Sequence, residues 1–218
     1  MPQQMLTLLR DLAENNRRDL FLRHKQDYLD LQDAFKTACV GLRAQIEAFD
    51  RISSVKFYRI YKDARYSRSK EQYRTHRDVS FFRQKGGEYF LRVKPGGSYI
   101  IAGYWDISPD DLSKLRSAIN TDAAPLASAL SDPGLKQQFG ELEPIQVKTA
   151  PRGFSKNHPA IDLIRKKSFL LKAPLADATL LGPDFPDSFL RTCRAAAPLL
   201  ACLDTYIGKE PPDIFDFF

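Results

Sequence analysis

Hydrophobic and polar positions alternate with period two from Val55 to Lys62. Val55, Phe57, Arg59 and Tyr61 fall on one side of an extended chain, and Lys56, Tyr58, Ile60 and Lys62 on the other. Aromatic and β-branched residues prevail, which suits a strand. Val79–Arg83 and Tyr89–Lys94 flank Gly86-Gly87, and Tyr89–Lys94 and Tyr99–Trp105 flank Pro95-Gly96-Gly97. Both are hairpin signals, and consecutive hairpins pair antiparallel. Gly103 inside the last of these strands marks a bulge or a close backbone approach, for which packing and a ligand beside Tyr104 and Trp105 are the two reasons.

The pattern changes to helical spacing on either side of these strands. Leu6, Leu8, Leu9 and Leu12 give a short amphipathic helix from Met5 to Glu14, broken at Asn15-Asn16. Leu31, Phe35, Ala38, Leu42, Ile46 and Phe49 form a long apolar stripe, predicting one helix from an Asp19 cap to about Phe49. Ser108-Pro109-Asp110-Asp111 is a helix start, with an N-cap serine, a proline at the first position and acids in the first turn. Short helices follow at Ala124–Leu130 and Leu135–Phe139, then a strand at Glu143–Lys148, a helix opened by Asn157-His158-Pro159, and a short strand at Ser168–Lys172. Phe185–Tyr206 is a long apolar helix that Pro198 kinks. The expected fold is therefore α+β: an antiparallel sheet over 55–105, covered by the long N-terminal helix and the C-terminal helices. At 218 residues this predicts a single domain over 1–208 and a tail over 209–218, where Ile214, Phe215, Phe217 and Phe218 alternate with Asp213 and Asp216.

Charge sharpens the picture. Residues 56–94 hold twelve Lys and Arg against four acids, an excess of eight where the whole chain has an excess of six. The basicity is local and predicts a patch. If the extended chain continues past Lys62, Asp63 lies between Arg59 and Arg65, and Lys70, Tyr73 and His76 recur at a spacing of three that helical turns would align. Arginine forks suit phosphates and carboxylates, and lysine adds a point charge. Asp63 is placed to orient the arginines or to act as a base, and neighbouring cations would lower the Tyr73 pKa. Arg152 and His158 accompany the free N–H groups of the helix start after Asn157 and form a second candidate element. The expected set is thus Asp63, Tyr73 and His158 for proton transfer, and Arg59, Lys62, Arg65, Lys70, His76, Trp105 and Arg152 for ligand binding. An ion-pair network that pins a strand end is the structural alternative for the same charges.

The spacing Arg59-x-x-Lys62-Asp63-x-Arg65-Tyr66-x-x-Ser69-Lys70-x-x-Tyr73 resembles the signature of a widespread bacterial family of conserved hypothetical proteins, domain of unknown function 2461. The stretches NNRRDLFLRHK, KPGGSYIIAGYW and APRGFSKNHPAIDLIRKKSF are similar to further family motifs, so the likeness spans nearly the whole chain. Lys62 stands where the family has Arg and loses the fork. Ser69 stands where the family has Asp or Asn and removes an acid or amide partner for Lys70. The resemblance implies a single domain of about this length and supplies no mechanism.

Three function classes fit. The first binds or acts on a phosphate- or carboxylate-bearing small molecule, favoured by the compact Arg/Lys/Asp/Tyr cluster. The second is a nucleic-acid-binding module, favoured by Tyr58, Tyr61, Tyr66 and Tyr73 among the cations. The third is a protein-interaction protein with purely structural charges. No P-loop, dinucleotide fingerprint or zinc-binding histidine pair occurs, so neither a cofactor nor a metal is expected. Cys39, Cys193 and Cys202 have no metal spacing, no apolar run approaches the ~20 residues of a membrane span, and a cytoplasmic setting is expected.

Overall fold

The two glycine turns organise the sheet as their spacing predicts. The computed structural model describes residues 3–62 and 72–208. In it β1 (Ile52–Phe57), β2 (Arg77–Arg83), β3 (Glu88–Val93) and β4 (Ser98–Tyr104) follow one another as an antiparallel meander, and β5 (Phe169–Leu175) pairs with β4 at the edge. The chain between β4 and β5 carries α4 (Pro109–Thr121), α5 (Ala124–Ser131), α6 (Pro133–Phe139) and α7 (Ile161–Ile164). Before β1 come α1 (Gln3–Glu14), α2 (Arg18–Arg23) and α3 (Lys25–Ile46); after β5 come α8 (Asp177–Leu181) and α9 (Phe185–Tyr206). The protein is α+β, with the antiparallel sheet flanked by N-terminal and C-terminal helices. No helix among the described residues is long and apolar enough to cross a membrane.

Period-two alternation of apolar and polar side chains sets the two sides of the sheet apart. Val79 and Phe81 of β2, Tyr89, Leu91 and Val93 of β3, Ile100 and Ala102 of β4, and Leu171 and Ala173 of β5 join one core. Against them pack Phe35, Cys39, Leu42 and Ile46 of α3 and Phe189, Cys193, Ala196 and Leu200 of α9. The opposite side carries Lys56, Asp78, Ser80, Phe90, Arg92 and Tyr99. Gly103 explains itself by packing: its φ is 145°, and a Cβ there would lie 2.0 Å from the Phe169 carbonyl oxygen of β5. Ser108 caps α4 as its sequence predicts, accepting from the Asp111 N–H at 3.1 Å.

Several expectations are corrected. The helix predicted from Asp19 to Phe49 is two helices. His24, at φ −101° and ψ 16°, separates α2 from α3, and Asp19 lies in the first turn of α2, not at its cap. The break turns Phe21 toward the stem of the β1–β2 connection. The strand expected at Glu143–Lys148 is reduced to two isolated bridges, Leu142 with Leu171 and Gln146 with Lys166. The helix expected at Asn157-His158-Pro159 begins later and is a single turn. The sheet extends beyond 55–105 to take in β5.

Candidate functional site

The β1–β2 connection leaves the sheet as a stem. The Tyr58 N–H donates to the Asp78 carbonyl at 3.1 Å, the Arg74 N–H to Ile60 at 2.6 Å and the Lys62 N–H to Gln72 at 2.8 Å. Tyr61 and Tyr73 form an antiparallel bridge. Tyr73 is therefore extended, and the helical alignment predicted for Tyr73 and His76 does not occur. The alternation predicted through Lys62 also stops at Phe57: Ile60 is buried while Arg59 and Tyr61 are exposed.

Asn16, read from sequence as a helix breaker, holds this stem. Its side-chain oxygen accepts from the Gln72 and Tyr73 N–H groups at 2.9 Å each, and its amide donates to the Tyr73 carbonyl at 2.9 Å and the Leu12 carbonyl at 3.1 Å. Tyr73 stacks on Phe21 at 4.3 Å, and Tyr28 and Tyr61 meet the same Phe21 ring at 5.2 and 5.7 Å. Burial raises the Tyr73 pKa, opposite to the shift expected from nearby cations. Asp63, Arg65 and Lys70 lie outside the described residues.

The stem rises beside a cleft of about 580 Å³ on the side of the sheet opposite α3 and α9. Strand register lays out its floor. Lys56, Ser80, Phe90, Ile101 and Lys172 face one another across all five strands. The next row toward the stem holds Asp78, Arg92 and Tyr99, and the next row away from it Phe82, Glu88 and Gly103. Tyr58 and Arg74 line the stem side, and Trp105 and Asp106 line the far side.

Charge in the cleft is graded. Asp78 is 3% exposed and receives both Nε and Nη2 of Arg92, at 2.8 and 2.7 Å. His76 Nε2 lies 3.4 Å from the same carboxylate and Arg74 Nη1 4.0 Å. Burial pushes the Asp78 pKa up, but the hydrogen bonds of Arg92 and His76 outweigh it and hold the carboxyl below its ordinary value. Arg74 Nε is buried and finds no acceptor among the described residues. At the other end Glu88 is raised by burial, with Asp106 adding to the rise and Ser80 and Lys56 opposing it, and its Oε2 finds no donor among the described residues. Aromatic rings connect the ends: Tyr58, Phe90 and Tyr99 stand 6.3 and 6.1 Å apart, with Lys56, Arg92 and Lys172 over their faces at 4.5–5.7 Å.

Of the residues expected from sequence, Trp105 lines the cleft and His76 contacts its Asp78. Arg59 and Lys62 lie on the stem. Arg152 and His158 are not among the lining residues. The His158 ring is engaged by the Asn120 carbonyl at 3.3 Å and the Ala160 N–H at 3.1 Å, so it occupies one of the N–H groups expected to attract an anion. Lys56, Tyr58, Arg74, Asp78, Glu88, Arg92 and Tyr99 were missed as site residues. The signal was present: fixing the Gly86-Gly87 turn also fixes Asp78 opposite Arg92 and puts both on the polar side. Among the described residues no group of His, Cys, Asp or Glu is placed to hold a metal ion.

Comparison with known proteins adds a family. The family model described as "Conserved hypothetical protein (DUF2461)" matches residues 4–201. No curated protein and no solved structure matches the chain.

Proposed function

The chain belongs to the DUF2461 family, and we propose that it binds or acts on a small molecule bearing a phosphate or carboxylate, held in the cleft on the open side of the sheet. The observation that carries this reading is the charge balance around Asp78, where one carboxylate faces Arg92, Arg74 and His76 and the buried Arg74 Nε finds no acceptor among the described residues. A bound anion would complete that balance, since arginine binds such groups through paired donors. Arg59 and Lys62 belong to this reading through the stem, whose two strands leave the cleft wall at Tyr58 and Arg74; Asp63, Arg65 and Lys70 belong to it through the spacing of the motif alone.

Thermal unfolding with inorganic phosphate, phosphorylated metabolites and carboxylates tests it. A ligand at ~100 times its Kd adds about 2.7 kcal/mol to the folded state. The melting temperature of the wild type rises, and Arg74→Ala abolishes the rise. No response to any anion, or a full response in Arg74→Ala, overturns the reading. Arg152→Ala is the control: it leaves the response intact if the cleft alone holds the ligand and reduces it if the 150s segment takes part.

A second reading, single-stranded nucleic acid, is favoured by the row of Tyr58, Phe90 and Tyr99 across an open sheet, because bases stack on such rings. It predicts oligonucleotide binding that weakens steeply with salt and selects little for sequence.

A further inference from the structure

The cleft is electrically polar along its length, and that polarity has a consequence for the ligand. Arg92 and Glu88 lie on the same side of β3, four residues apart, which at ~3.3 Å per residue separates their backbones by ~13 Å. The Arg92 end adds Arg74 and attracts anions. The Glu88 end adds Asp106, so two carboxylates face the one cation Lys56 there and disfavour anions, and the Glu88 Oε2 lacks a hydrogen-bond donor among the described residues. Trp105 stands at that end with 51% of its surface exposed, an unusual setting for a large ring. Midway, the Tyr58 hydroxyl lines the cleft, held 3.2 Å from the fully buried Ser80 hydroxyl, and offers both a donor and an acceptor.

Resting on the anion-binding reading above, we propose that the ligand is a nucleoside monophosphate. Its phosphate meets Arg74 and Arg92, its sugar hydroxyls meet Tyr58, and its base stacks on Trp105 with an N–H directed to Glu88. Each zone needs a different chemistry, and the three occur in this order along one molecule of the right length. A lone sugar phosphate reaches the cationic end but leaves Trp105 and Glu88 unused. A dicarboxylate would place its second charge against Glu88 and Asp106.

The chain has a single tryptophan, so its fluorescence reports on Trp105 directly. The full-length protein is titrated with purine and pyrimidine nucleoside monophosphates, ribose 5-phosphate and inorganic phosphate, following tryptophan emission and heat of binding. At least one nucleoside monophosphate is expected to change the emission saturably and to bind about tenfold or more tighter than ribose 5-phosphate, which leaves the emission unchanged. Glu88→Gln brings the two affinities together while phosphate binding stays intact, because a hydrogen bond to a charged group is lost. Trp105→Ala, at an exposed position, does the same by calorimetry without disturbing the fold. Equal affinity for ribose 5-phosphate and every nucleotide overturns the nucleotide assignment and leaves the anion reading standing. Absence of binding by any of these anions overturns both.

Discussion

Two arginine–aspartate systems sit on opposite sides of the same sheet, and they are built in opposite proportions. On the helix-covered side Arg83, 5% exposed, faces two carboxylates: Nε donates to Asp50 at 2.5 Å, and Nη1 and Nη2 to Asp204 at 3.2 and 2.7 Å. The Gly86 carbonyl takes a further bond at 2.8 Å, Tyr89 donates to Asp50 at 2.8 Å, and Tyr104 donates to Asp204. Burial lowers the Arg83 pKa, but the hydrogen bonds to Asp204 and the charge of Asp50 raise it further, so the cation is held firmly. On the cleft side one carboxylate, Asp78, faces Arg92, Arg74 and His76, and the Arg92 side chain keeps 27% of its surface exposed. The first network is closed and acid-rich, and ties α9 to the β2–β3 turn. The second is open and rich in cations. Composition alone cannot separate a strut from a site; the ratio of acids to bases and the access to solvent do.

The largest expected effect lies in the closed network. Asp204→Ala breaks the buried pair with Arg83, leaves that guanidinium to Asp50 and takes an acceptor from Tyr104, and should cost about 3 kcal/mol, measured by urea titration. A loss below about 1 kcal/mol would show that α9 is held by packing alone.

Asn16→Ala removes the side chain that satisfies the Gln72 and Tyr73 backbone groups, and should cost about 1–3 kcal/mol. Anion binding should weaken with it, because the stem bears Arg74. Unchanged stability in chemical denaturation would mean that the aromatic cluster around Phe21 suffices to hold the stem.

Asp78→Asn tests the open network and its pH dependence. Because the folded-state pKa of Asp78 lies below the ordinary aspartate value of 3.8, its ionised form stabilises the fold fully above that value. The contribution is lost as pH falls from there through the lowered folded pKa. Removing it should cost about 1–2 kcal/mol at neutral pH and flatten the acid limb of the stability curve below that value. An acid limb as steep as in the wild type would assign the acid sensitivity to other carboxylates.

How much of this contrast was legible in the sequence follows from the range of each interaction. Period two and glycine turns are local, and they gave β2, β3 and β4 with their antiparallel order. The α3 stripe was local too and placed Phe35, Leu42 and Ile46 in the core. The break at His24 was missed because the apolar stripe continues across it. Asn16 was read for its helix-breaking tendency, whereas its partners, Gln72 and Tyr73, are more than fifty residues away. The Arg83–Asp204 pair spans 121 residues and leaves no local trace. The motif spacing drew attention to 59–73, and its described tyrosine, Tyr73, is an anchor buried against Phe21. The cations that line the cleft come from the polar positions of the neighbouring strands, which register would have aligned once the turn was fixed.

The smallest effect on stability should accompany the largest effect on binding. The Arg74 side chain is 35% exposed and 4.0 Å from Asp78, so Arg74→Ala should change stability by less than about 0.5 kcal/mol while removing the ligand response. A marked loss of stability would move Arg74 from the site to the scaffold.

Reception of an anion on the open side of the sheet can be read residue by residue. Its most direct measurement is the amide chemical-shift map of the isotope-labelled protein titrated with inorganic phosphate. Saturable shifts are expected at Arg74, Asp78, Ser80, Phe90, Arg92 and Tyr99, with the amides around Arg83 and Asp204 unmoved. Shifts confined to the Arg152–His158 segment, or none at millimolar phosphate, would contradict it.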